Sequence, residues 1–104
     1  AQVREMLDLF VTSTEQLLAE LARNLDAGRL DAAARMAHQI KGAAAYLGAT
    51  TTTDLAGRLD QAAKAGDTEL ASELGQDLEA DFIRLRSHIE TVTSTNAALP
   101  RQAG

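Results

Sequence analysis

An all-α antiparallel four-helix bundle is the fold this sequence predicts, and three observations carry it. Apolar residues recur at three- and four-residue spacing in successive segments, with no alternating strand pattern. Ala, Leu and Gln are plentiful while only 3% of residues are aromatic, a helix-forming composition with a core of small and medium aliphatic side chains. The single proline, Pro100, leaves everything before it free of the strongest helix breaker. Amphipathic helices joined by short loops hide their stripes against one another, in up-down order.

The first segment runs from about Val3 to Leu25, with Val3, Met6, Leu7, Phe10, Val11, Thr14, Leu17, Leu18, Leu21 and Leu25 at helical spacing. Thr12-Ser13-Thr14 offers a cap for a new helix, with Gln16 as capping-box partner of Ser13. The segment therefore accommodates either one helix or an extra short N-terminal helix ahead of a longer one. Gly28 reads as its stop. Met6 and Phe10 read as core rather than docking residues.

A second helix is expected over about Leu30 to Leu47, with Ala33, Ala37, Ile40, Ala44 and Leu47 on one side at roughly 100° per residue. His38 points away from them, alongside Asp31, Ala34, Lys41, Gly42 and Ala45. The Thr50–Thr53 run with Asp54 reads as a helix-capping loop. A third helix turns Leu55, Leu59, Ala62 and Ala63 inward and ends at Gly66. The fourth starts with Asp67 as N-cap and runs to about Val92, with Leu70, Leu74, Leu78, Phe82, Leu85, Ile89 and Val92 as its stripe. Periodicity then stops, so residues 1–93 form the expected bundle and residues 94–104 a polar, disordered tail or linker.

The chain of 104 residues is one domain by length. Its net charge of −5 argues against nucleic acid as main partner, because phosphate-backbone binding wants a basic footprint. No cysteine is present, which excludes disulfides, thiolate zinc sites and thiol catalysis in this chain and fits a cytoplasmic setting. No apolar run approaches the ~20 residues that span a bilayer, so direct membrane insertion is not expected. The chain begins with Ala rather than Met, which favours a domain excised from something larger.

The stretch His38-Gln39-Ile40-Lys41-Gly42-Ala43-Ala44-Ala45-Tyr46-Leu47-Gly48-Ala49 carries the chemistry. Lys41 and Gly42, three and four residues on, are the nearest neighbours of His38 on its helix surface. Together they supply a nucleophilic nitrogen, a positive charge and an open approach. Imidazole is substantially unprotonated near pH 7 and so can act as a nucleophile. A lysine ammonium can stabilise phosphoryl oxygens. A mid-helix glycine sacrifices roughly 0.5–1 kcal/mol relative to alanine, and clearance for a phosphoryl donor is a reason to keep one. No Gly-x-x-x-x-Gly-Lys-Ser/Thr, Gly-x-Gly-x-x-Gly or Asp-Phe-Gly motif is present, nor a carboxylate cluster for a metal.

The pattern His-x-Ile-Lys-Gly-Ala-Ala-x-x-Leu-Gly-Ala resembles the histidine-containing phosphotransfer (HPt) domains of two-component phosphorelays, with a looser likeness over about Val3 to Val92. The resemblance implies an up-down four-helix bundle, and a phosphorelay intermediate rather than an enzyme with its own ATP site. It makes His38 the phosphorylated residue, Lys41 the phosphoryl-stabilising cation and Gly42 the clearance position. Response-regulator receiver domains are then the partners, and they bring the Mg²⁺; this chain needs no cofactor or metal. A mostly apolar patch around His38, Gly42 and Ala45, with Lys41 and Arg35 adding charge, is the expected docking surface of a monomer. A cytoplasmic module is implied, free or tethered to a membrane sensor kinase, and the missing Met and polar tail lean towards the C-terminal end of a hybrid sensor kinase. Some relatives carry a glutamine on the third helix that orients the histidine. Spacing puts Asp60 at that position and turns Gln61 away; the role of Asp60 stays open.

Two rivals remain at this stage. A chemotaxis-type histidine kinase has a similar phospho-accepting bundle, but often with Gly-Gly and an aromatic where this chain has Ala43 and Leu47. A helical interaction module without transfer would bind partners independently of His38. His88 lacks a following Lys-Gly and reads as solvated surface.

Overall fold

A computed structural model gives four helices, α1 (Gln2–Asp26), α2 (Leu30–Leu47), α3 (Thr50–Lys64) and α4 (Thr68–Ala103). It describes the backbone of residues 2–103 and the side chains of residues 3–92. Each helix packs on the next in the chain, and α4 closes the ring against α1. Short connections allow only antiparallel neighbours, so the result is the expected up-down bundle.

One device turns the chain three times. Gly48 sits in the left-handed region at φ 75°, where a Cβ would crowd the backbone. Its N–H donates to the carbonyl of Ala45 (3.1 Å), and the N–H of Ala49 donates to that of Ala44 (2.9 Å). The pair closes the last turn of α2 as a Schellman motif. Equivalent bonds flank Gly28 and Gly66. At the start of α4, the Asp67 carboxylate accepts the N–H of Leu70 at 3.1 Å, the cap expected of it.

The core follows the small-residue pattern. Ala33, Ala37, Ile40 and Ala44 of α2 have no exposed surface, and neither do Ala56 and Leu59 of α3. Side chains this short let α2 and α3 approach closely, and these two share the most extensive face in the bundle. Leu74, Leu78 and Phe82 of α4 and Phe10, Leu21 and Leu25 of α1 complete the interior. The Phe10 and Phe82 rings lie 6.3 Å apart at 54°, a tilted aromatic pair. Thr52 donates a 2.6 Å hydrogen bond to buried Asp81, pinning the start of α3 to α4.

Several expectations need correction. No extra short N-terminal helix exists: α1 is continuous through Thr12–Thr14, because buried Thr14 continues the stripe from Phe10 to Leu21. Met6 is 40% exposed rather than core, since the first turns of α1 face solvent there, as Val3 and Leu9 also do. The Thr50–Thr53 run is not a loop but the first turn of α3. Thr53 back-bonds to the carbonyl of Ala49 at 2.8 Å, and burial of Thr52 draws the run into the helix. Leu47 is only half-buried, Leu70 is 39% exposed, and Ala71 takes the inward place beside Leu74. The α4 backbone also continues beyond Val92 to Ala103. The domain boundary at residue 93 and the tail reading of 94–104 lie outside the described side chains.

Leu78 is fully buried, whereas Leu9 is 67% exposed. Leu78→Ala is expected to lose about 2–5 kcal/mol through the cavity it leaves. Leu9→Ala should stay within about 0.5 kcal/mol of the parent. Urea denaturation at constant m-value checks both.

Candidate functional site

The buried alanine face of α2 fixes how that helix is rotated, and this rotation puts His38 outside. The imidazole side chain is 72% exposed. One turn on, Gly42 is exposed, and a Cβ built there would meet no atom within 4 Å. Packing therefore does not require glycine at this position. Ala45 and Arg35 are exposed on the same stretch of α2, as expected, whereas Ala34 is 95% buried beneath it.

The other wall of the site is α3. Lys41 lays its stem over Gly57, whose ideal Cβ position is 3.5 Å from Lys41 Cδ and 3.8 Å from Nζ. The lysine therefore lies in the α2–α3 groove, on the side where His38 also meets α3. Asp60 reaches His38, with Oδ2 3.7 Å from the ring Nδ1. Gln61 is exposed and lines the neighbouring part of the groove with Lys41 and Gly57. Spacing thus placed Asp60 against His38, whereas Gln61 is not turned away from the groove but faces its Lys41 end.

Lys64 is the residue sequence reasoning missed. Its ammonium lies 3.3 Å from Asp60 Oδ1 and 3.4 Å from Oδ2, with hydrogen-bond geometry met at Oδ2. The signal was available in the i, i+4 spacing of Asp60 and Lys64 on one helix face. His88 is exposed on α4, remote in sequence from these groups. Among the described residues, no group of three or more His, Cys, Asp or Glu side chains is placed to hold a metal ion. No described helix is long and apolar enough to cross a membrane.

A helical bundle that sets an accessible imidazole beside an ammonium and bare backbone has the makings of a group carrier. Comparison with known proteins makes the class specific. The Hpt domain model matches residues 5–92, and the chain belongs to that family. It is 29% identical over 77 residues to the phosphorelay intermediate protein rdeA of Dictyostelium discoideum, a match covering 74% of this chain and 30% of rdeA. The crystal structure of histidine-containing phosphotransfer protein B (HptB) from Pseudomonas aeruginosa PAO1 superposes with TM-score 0.85 at 27% identity. That likeness covers 88% of this chain and 80% of HptB. Domain model, relative and solved structure thus agree on the histidine-containing phosphotransfer class.

The open space above Gly42 generates a stability prediction. Gly42→Ala should stabilise the fold by about 0.5–1 kcal/mol, since the helix gains propensity and the methyl meets nothing. Thermal or urea unfolding reads this; destabilisation would show that the backbone there is constrained by packing after all.

Proposed function

We propose that His38 takes the phosphoryl group from an aspartyl phosphate on one receiver domain and passes it to the aspartate of another. The observation that carries this reading is the exposed imidazole one turn from an unobstructed Gly42, on the outer face of α2. The Nε2 lone pair attacks phosphorus and forms the N–P bond. The acyl P–O bond breaks, and the aspartate carboxylate leaves with its electron pair. The second transfer reverses these changes on a new carboxylate. Lys41 offsets charge on the phosphoryl oxygens, and Gly42 admits the donor. The Mg²⁺ of the reaction belongs to the receiver.

Docking would use the patch of His38, Gly42 and Ala45, with Lys41 and Arg35 meeting acidic groups around the receiver's aspartate. A monomer suffices, because every residue invoked comes from α2 and α3 of one chain. The module would work in the cytoplasm, free or attached to a sensor kinase.

Mixed with a phosphorylated receiver, the protein should acquire an acid-labile, base-stable label. His38→Gln should take up none, and label on that variant would refute the assignment. Gly42→Gln should remain folded yet transfer about tenfold or more slowly, because a displaced donor loses in-line alignment. Undiminished transfer would remove the clearance role.

A further inference from the structure

The face that α1 shares with α4 is the loosest in the ring, and it lies opposite the α2–α3 groove that holds His38. Two depressions run end to end along it and share Leu18, Ala22 and Glu79, so they form one lengthwise trough. Buried Leu25 and Phe82 make its floor. Half-buried Leu18, exposed Ala22 and Ile83, which is 47% exposed, make its walls. At Gly75 a Cβ would stand 2.8 Å from Leu25 Cδ1, so only glycine lets α4 settle on α1 there. Gly75 and Ala22 project almost no side chain, which leaves both backbones open to close approach by a third element.

The rim of this trough is acidic. Asp26 and Glu79 line it and have no hydrogen-bond or ion-pair partner among the described residues. Glu15 is matched, because the Arg86 guanidinium donates to it at 2.7 Å across the trough. Beyond that strap the charges balance, with Arg4 and Arg86 set among Asp8 and Glu90. The stretch between Asp26 and the strap therefore combines an apolar floor with two uncompensated carboxylates.

We propose that this trough docks an amphipathic helix of a partner protein, with aliphatic residues on its inward face and Lys or Arg along its edges. The occupant is narrowed by shape and by charge. The described residues form no strand, so an extended peptide would find no sheet edge to pair with, whereas a helix satisfies its own backbone. A channel between two antiparallel helices accepts a third by ridge-into-groove packing. Asp26 and Glu79 oppose a second copy of this acidic chain presenting the same face, and they repel the phosphates of nucleic acid. A cationic edge meets them favourably, while cover over Leu18, Ala22 and Ile83 supplies the hydrophobic contribution. Because the two grooves lie on opposite sides of the bundle, the docked helix leaves His38 open. It would hold the domain beside one protein while the outer face of α2 engages another.

NMR titration of nitrogen-15-labelled protein with a synthetic helical peptide of about 18 residues, five turns, tests this. The probe carries Leu at helical i, i+3, i+4 and i+7 spacing and Lys on its flanks. One control peptide replaces every Lys by Glu, and a second scatters the same Leu residues around the helix. The lysine peptide should saturably shift the amides of 18–26 and 75–83 and leave those of 38–45 in place. Both controls should bind about tenfold more weakly or worse. Ile83→Ser should weaken the lysine peptide about tenfold, and the Asp26→Lys, Glu79→Lys pair should reverse the preference between the two charged peptides. All three positions are exposed, so the variants should keep the parent's unfolding curve. Phosphoryl uptake should be the same with and without saturating peptide. Shifts centred on α2 and α3, equal binding of the glutamate peptide, or no saturable shift would overturn the proposal. Self-association of the protein through 18–26 and 75–83 would overturn it too, by assigning the trough to a second copy.

Discussion

Close packing of α2 on α3 is the constraint from which the site follows. Ala33, Ala37, Ile40 and Ala44 lose all contact with water, and that stripe admits only one rotation of α2 about its axis. Rotating the helix to bury His38 would expose Ile40 and drive an imidazole against Ala56 and Leu59. The close approach that small side chains allow also brings α3 within reach of the outer face of α2. Asp60 can then lie beneath His38, and Lys41 can rest its stem on Gly57. A core of larger residues would have widened the groove and separated these groups.

The resulting surface is specialised in charge as well as shape. The chain is acidic by five charges, yet along the α2–α3 groove Arg35, Lys41, Arg58 and Lys64 outweigh Asp31, Asp54 and Asp60, leaving it weakly positive. A positive border suits a phosphoryl group and the acidic site that delivers it. The Asp60 carboxylate is sunk below the imidazole and matched by Lys64. Ammonium groups thus stand at the surface beside the imidazole, while the carboxylate lies beneath it.

Much of this was legible in the residues. The α2 limits agree at both ends, and the Asp67 cap was readable from its position before an apolar stripe. The site motif could be read because its parts are neighbours on a single helix. Features that depend on a second helix were harder. Thr52 looks like a capping residue until Asp81 of α4 is brought against it, and burial then favours helix over loop. Met6 has a core residue's periodicity, but periodicity does not reveal where the bundle ends and leaves a turn uncovered. Asp60 was placed by spacing, whereas its burial and its pairing with Lys64 needed the packed groove.

The central claim is that one imidazole, held outside the bundle by the rotation of α2, is where phosphorus becomes bound. Residue-level mapping of the parent protein after exposure to a phosphorylated receiver, by fragmentation mass spectrometry under phosphoramidate-preserving conditions, asks this most directly. A single phosphoryl group on His38 is the predicted result. Phosphorus on His88, on a threonine of the Thr50–Thr53 turn or on a carboxylate would contradict it.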